Sequence, residues 1–232
     1  METLPAAVVF DLYDTLVIVD PAARRAHQRE AARQLGVGLD EFRAAWDATA
    51  LESSTGVIGP TADRYLRVAR QLGEEGLTLA GAPEALAGGL AEMEHSFLRA
   101  QTRVVDGVPD LLRVLRATGV RTWLLSNCSR SVVHTLAASG LLDLLDGTSL
   151  SCEVGAAKPH PALYTHALDA MAVPARSCVY VADGMVDEHA AAQRAGMRPV
   201  RVTWSHDDGS APEGTPVVAT AAALADVLGI ML

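Results

Sequence analysis

Apolar and polar positions follow two rhythms along this chain. Ala6 to Phe10 is an unbroken apolar run that stops at Asp11, the pattern of a short strand covered on both faces. From Pro21 apolar residues recur instead at helical spacing, in four segments: Pro21 to Leu35, Leu39 to Leu51, Thr61 to Leu72 and Ala82 to Ala100. Gly36-Val37-Gly38, Ser53-Ser54-Thr55-Gly56 and the stretch Gly73 to Gly81 separate them, as helix stops should. No strand-like run interrupts these segments, so the pattern predicts an inserted block of four helices.

After Asp106 the two rhythms alternate. Helices are expected at Pro109 to Ala117, Ser129 to Ala138, Pro161 to Ala172, Glu188 to Ala195 and Ala219 to Leu228. Strands are expected between them at Val120 to Leu125, Thr148 to Cys152, Cys178 to Ala182, Pro199 to Val202 and Pro216 to Val218. Strands joined by helices require right-handed crossovers and a mainly parallel sheet with helices on both faces. The expected fold is α/β, a doubly wound sheet with a helical lid inserted after its first strand.

At 232 residues the chain suits one domain with an insert. Twenty-eight acids against 19 bases give a formal net charge of −9, and the bases form no stripe, which argues against nucleic-acid binding. No apolar run is long enough to span a membrane, and Met1 to Pro5 lacks the basic start of a secretory signal, so a cytoplasmic location is expected. Cys128, Cys152 and Cys178 contain no CxxC pair and read as reduced, structural residues. The seven histidines show no HxH or HExxH spacing, which argues against zinc.

In a parallel sheet the carboxyl ends of the strands share one edge, where ligands bind. Here the residues that follow the strands are Asp11, then Ser126 and Asn127, then Lys158, then Asp183, Asp187 and Glu188. Singly each has a plain reading: a turn, a helix cap, a solvated lysine. Together they suit phosphoryl transfer. A carboxylate such as Asp11 can attack phosphorus and form an acyl phosphate, and a dianionic substrate beside it needs cations, which Lys158 and a Mg²⁺ held by Asp11, a backbone carbonyl and Asp183 would supply.

These residues resemble the haloacid dehalogenase-like hydrolases. Phe10-Asp11-Leu12-Tyr13-Asp14-Thr15-Leu16 looks like that family's first motif, Leu124-Leu125-Ser126-Asn127 its second, Lys158-Pro159 its third, and Val181-Ala182-Asp183-Gly184 with Asp187 its fourth. The resemblance implies a Rossmann-like core of residues 1–17 and 102–232, with residues 18–101 as a cap. It implies Asp11 as nucleophile, Ser126 and Lys158 as ligands of the transferred group, and Thr15, Arg43 and Asn127 as substrate contacts. Metal binding would fall to Asp11, the Tyr13 position, Asp183 and Asp187, with Asp187 alternatively orienting Lys158.

The first motif departs from the family's phosphatases. They carry a second aspartate, the general acid and base, where this chain has Tyr13; a phenol with a pKa of about 10 is a poor base at neutral pH. Tyr13, Asn127 and Arg43 resemble instead the branch that hydrolyses 2-haloalkanoic acids without metal, whose halide leaving group needs no proton. Asp183 stands where that branch has a neutral serine, and a second carboxylate beside Asp11 calls for a cation. The expected activity is therefore Mg²⁺-dependent hydrolysis of a small phosphate monoester, with a metal-free dehalogenase or a non-catalytic binding protein as alternatives. Asp14 has no role that the pattern explains. Trp46, Arg64, Tyr65 and Arg67 join Arg43 as cap residues that could meet substrate, His206 could overhang the site, and the Ala-rich cap could pair two copies of the chain.

Overall fold

The computed structural model describes residues 4–185 and 187–232. Strand β1 (Ala7–Phe10) lies inside a six-stranded sheet that also contains β4 (Arg121–Ser126), β5 (Gly147–Leu150), β6 (Cys178–Ala182), β7 (Arg198–Val202) and β8 (Val217–Val218). The order is β5-β4-β1-β6-β7-β8, and every neighbouring pair is parallel. The chain builds outward from β1 to β4 and β5, then crosses back to build β6, β7 and β8 on the other side. That reversal opens a crevice at the carboxyl end of β1.

Alternation along β1 explains why it is apolar throughout. Val8 and Phe10 face one core with Leu12, Leu111, Leu112 and Leu124, while Ala7 and Val9 face another with Leu125, Tyr164 and Tyr180. The connecting helices cover both faces: α6 (Val108–Ala117), α7 (Val132–Ser139), α9 (Pro161–Met171), α10 (Glu188–Arg194) and α11 (Ala221–Leu228). Phe10 pairs with Leu124 on one side and Val181 on the other, so the residues just past each of them reach the same edge. Asp11 extends this ladder by donating its N–H to the Val181 carbonyl at 2.9 Å.

The segment between Val17 and Val104 is helical, with its own core of Leu35, Phe42, Tyr65, Val68, Leu72 and Leu90. Its helices are α1 (Pro21–Leu35), α2 (Leu39–Ala48), α3 (Ala50–Ser54), α4 (Thr61–Glu74) and α5 (Pro83–Gln101). The expected helix Leu39 to Leu51 is thus divided. The Thr49 hydroxyl turns back to the Trp46 carbonyl at 2.7 Å, and a new helical turn starts at Ala50. α1 keeps its expected bounds because Asp20 caps it, accepting from Ala22 N–H at 2.7 Å, and Gly36 ends it in the left-handed conformation at φ 79°.

Two short strands, absent from the sequence pattern, join the helices to the sheet. β2 (Val17–Val19) and β3 (Thr102–Val104) pair antiparallel where the chain leaves and re-enters the core. Another difference is the early end of β5, whose expected last residues form the short helix α8 (Ser151–Val154). There the Ser151 hydroxyl accepts from the Cys128 N–H at 2.9 Å, which ties the end of β5 to the loop after β4. Among the described residues no helix is long and apolar enough to cross a membrane.

Candidate active site

The carboxyl edge of the sheet is organised around one buried cation. The Lys158 ammonium, its side chain 3% exposed, lies 2.7 Å from Asp11 Oδ1 and 2.5 Å from Glu188 Oε2. It also donates to the Tyr180 hydroxyl at 3.2 Å, and that hydroxyl donates to Glu188 Oε2 at 2.7 Å. The other Glu188 oxygen accepts from the Gly184 N–H at 3.1 Å, so this carboxylate is fully engaged. Burial alone would lower the lysine pKa, but Asp11 and Glu188 outweigh it and hold the amine charged.

The two carboxylates beside Lys158 differ. Burial raises Asp11 to about 7, with the Glu188 charge adding to the rise and Lys158 opposing it. Burial would raise Glu188 too, yet Lys158 and the Tyr180 hydroxyl overcome it, and its pKa lies below the ordinary value. One lysine therefore neutralises Glu188 and leaves Asp11 only partly compensated. Asp183 is also raised, by burial first and then by Glu188.

The acid that holds Lys158 is Glu188, not the expected Asp187. Asp187 adopts φ 56°, a left-handed conformation at the start of α10. Its carboxylate, 63% exposed, lies 3.5 Å from Arg194. Reversing the backbone there sends one side chain to solvent and the next one inward. Asn127, expected as a substrate contact, lines the cleft and uses both ends of its side chain within the protein. Its carbonyl oxygen accepts from the Lys158 N–H at 2.6 Å and its amide donates to the Lys158 carbonyl at 3.0 Å, so both ends clamp the lysine backbone. Ser126, fully buried, ends β4 beside it.

Tyr13 turns away from proton chemistry. Its hydroxyl meets Thr135 Oγ1 at 3.2 Å on α7, and burial pushes its pKa up to about 12. The expected result of Tyr13→Phe is turnover within about threefold of wild type and a stability loss of about 1 kcal/mol, the worth of one hydrogen bond. A hundredfold fall in turnover, measured at matched Mg²⁺, would restore a chemical role to the phenol. Thr15 is fully buried, and its hydroxyl has no partner among the described residues.

Asp14 acquires a place that the sequence pattern did not give it, and His206 lies at the site that it was expected to overhang. Asp14 takes φ 58° and accepts from Ser205 Oγ at 2.6 Å, while His206 Nε2 lies 2.8 Å from Asp183 Oδ2. Burial lowers the His206 pKa, but the Asp183, Asp14 and Asp208 carboxylates outweigh it and the net shift is upward. Ligand atoms of Asp14, Asp183 and His206 lie within 4.8 Å of one another, as do those of Asp11, Asp183 and Glu188. With Glu188 engaged by Lys158, the Asp11 and Asp183 carboxylates form a hard, anionic set that fits Mg²⁺. The imidazole belongs to a softer set.

A cleft of about 290 Å³ separates this edge from the inserted helices, lined by Tyr13, Asn127 and Ser131 on one side and Arg24, Trp46, Arg64 and Glu94 on the other. Arg43 is not among its lining residues. It lies one position beyond the buried Phe42, and its Nε donates to Gln28 on α1 at 3.1 Å. Arg24 and Arg64 supply the cations facing the cleft instead, and Arg64 stacks on Trp46 at 3.7 Å.

The family model described as "Hydrolase: haloacid dehalogenase-like hydrolase" matches residues 5–196. The chain belongs to the haloacid dehalogenase-like hydrolases. As a member of that family it is a hydrolytic enzyme. Protein CbbY of Rhodobacter capsulatus is 25% identical over 225 residues, covering 93% of this chain and 95% of that protein. Among solved structures, a 2-haloacid dehalogenase from Pseudomonas syringae pv. Tomato DC3000 superposes with a TM-score of 0.74 at 23% identity, over 97% of this chain and 99% of that one. An HAD phosphatase from Thermococcus onnurineus superposes at 0.67 with 20% identity, over 97% and 98%. At these identities the structural likenesses speak for the fold alone, and the fold serves both activities.

Proposed function

We propose that this hydrolase cleaves small phosphate monoesters with Mg²⁺, through a phosphoryl group carried on Asp11. The observation that carries the reading is Asp11 held 2.7 Å from Lys158 with Asp183 close by, a nucleophile and a second acid that together exceed the charge of one lysine. An Asp11 oxygen attacks phosphorus as the ester oxygen leaves, and that oxygen takes a proton from water in the open cleft. The hydroxide left by that transfer then attacks the phosphorus, releasing inorganic phosphate and regenerating the Asp11 carboxylate. Lys158 stabilises the phosphoryl oxygens and also keeps Asp11 oriented. Mg²⁺ bound by Asp11 and Asp183 would offset the remaining negative charge. Residues 18–101 act as the cap that selects the alcohol part of the ester.

Release of phosphate from an aryl phosphate, assayed with Mg²⁺ and with chelator, tests this reading. Turnover that needs Mg²⁺ supports it; chelator-resistant turnover or none argues against it. The dehalogenase alternative draws on Tyr13, which leaves the site without the usual acid, a loss that a halide tolerates. Its signature is chelator-resistant chloride release from 2-chloropropionate.

The raised Asp11 pKa gives the metal a pH dependence. Mg²⁺ binds the ionised carboxylate, so protonation competes with it, and affinity falls as pH drops through about 7. Calorimetric titration is expected to show Mg²⁺ binding weakening by about tenfold per pH unit below that point, since one proton is displaced per ion. Constant affinity between about pH 6 and pH 8 would remove Asp11 from the metal set.

A further inference from the structure

The sheet sets two cysteines opposite each other beside the site. Ser126 at the end of β4 is in register with Leu150 at the end of β5, so Cys128 and Cys152 each lie two residues past a matched pair. Adjacent strands run about 4.8 Å apart, a spacing inside the range of Cα separations that a disulfide spans. The two sulfurs lie 3.9 Å apart and both residues are buried, yet neither the lysine network nor the proposed metal uses them. Cys178 lies apart from them on β6, its thiol donating to the Pro174 carbonyl at 3.5 Å.

Cys128 lines the cleft with Tyr13 and Asn127, so a small oxidant that enters there reaches the pair. The contact between the sulfurs favours reaction. The Cys128 thiol, donating to the Cys152 sulfur, holds the Cys152 pKa below the ordinary thiol value although burial opposes it, and the thiolate is the form that attacks.

Closing the gap from 3.9 Å to a bond of about 2 Å draws the two segments together. The Cys152 side is backed by the inserted helices: its carbonyl lies so close to Gly56 that a Cβ there would come within 2.1 Å of it. The Cys128 side is a loop, tied to α8 by its own N–H at 2.9 Å from Ser151 Oγ. The movement therefore falls on the Cys128 loop, and Asn127 moves with it. Both ends of the Asn127 side chain hold the Lys158 backbone, and the Lys158 ammonium lies 2.7 Å from Asp11. A shift of about 1 Å passed along this chain is enough to slow a reaction strongly.

We propose that Cys128 and Cys152 form a reversible disulfide, made by a peroxide, that slows the enzyme by displacing the Asn127 loop and with it Lys158. A thiolate of the pair attacks one peroxide oxygen, the O–O bond breaks, and the departing hydroxide takes a thiol proton to become water. The second sulfur then displaces hydroxide from the sulfenic acid, the S–O bond breaks and the S–S bond forms, and that hydroxide takes the other proton. Two electrons pass from the thiols to the peroxide, which ends as two waters. The disulfide stands on the geometry alone, whereas its effect on turnover rests on the phosphatase reading.

The test exposes wild type, Cys152→Ala and Cys178→Ala to hydrogen peroxide, unfolds them in an alkylating reagent and maps the peptides by mass spectrometry. Wild type and Cys178→Ala are expected to lose about 2 Da and to link the peptides of Cys128 and Cys152, with no such link in Cys152→Ala. Their aryl phosphate turnover should fall by about tenfold or more and return with dithiothreitol. Cys152→Ala should match reduced wild type within about threefold and lose less than that on the same exposure. A second measurement is independent of activity: amide exchange at Lys158, whose N–H is bonded to Asn127, should quicken by about tenfold in the oxidised protein. Thiols that all remain open to alkylation, a link through Cys178 or between two chains, or a Cys128–Cys152 link that changes neither turnover nor exchange would each overturn the proposal. No phosphate release from the reduced protein defeats the phosphatase reading alone, and the link with its exchange signature then decides this one.

Discussion

Asp11→Asn is expected to lower phosphate release by about 10⁴-fold or more while the protein stays folded. The asparagine amide has the shape of the carboxylate but cannot form the acyl phosphate, so no covalent intermediate can arise on it. The effect on stability should be small because two terms oppose each other. The neutral amide relieves the burial that raises Asp11 to about 7, and Lys158 loses one of its two carboxylates but keeps Glu188 at 2.5 Å. A Tm within a few degrees of wild type follows from a net change of about 1 kcal/mol. Mass spectrometry after quenching with substrate should find a phosphorylated species in the wild type and none in the variant. Residual turnover above about one per cent of wild type would assign the nucleophile elsewhere.

Glu188→Gln is expected to damage both stability and rate, and Asp187→Asn neither. Glu188 is 1% exposed and joins Lys158, Tyr180 and the Gly184 N–H, so neutralising it leaves a buried lysine with Asp11 alone. Removing one partner of such a buried pair costs about 3 kcal/mol, which for a chain of this length lowers Tm by roughly 6–12 °C. Lys158 would then be drawn toward Asp11, and the misplaced cation should lower turnover by about a hundredfold. Asp187 sits in water beside Arg194, where an exposed pair contributes little, so its variant should match wild-type Tm within about 2 °C. Equal behaviour of the two variants would mean that the lysine does not depend on Glu188.

That pair of variants also marks where sequence legibility ends. Asp187 and Glu188 are adjacent acids after the same strand, and no periodicity distinguishes them. The left-handed backbone at Asp187 decides which one turns inward. Asn127 gave no sign that its amide would clamp the Lys158 backbone, since the two loops meet only once β4 and the segment after β5 are side by side. Arg43, expected from its place early in the helices, is off the cleft, whereas Arg64, also a sequence candidate, faces it together with Arg24, because helix packing, not chain order, sets the facing side. Glu94 left a readable trace, an acid inside the apolar stripe of α5. His206 lies far from Asp183 in sequence, and only the loop after β7 brings them together.

The aliphatic runs were sufficient by themselves for the sheet. A strand apolar on both faces must be covered on both, and helices between such strands force them parallel, which collects Asp11, Ser126, Lys158 and Asp183 at one edge. Sequence alone therefore determined the fold, the family and the principal charged groups. Which acid neutralises the lysine and which arginines face the cleft were decided by tertiary structure, because burial and side-chain direction arise only when separate elements pack.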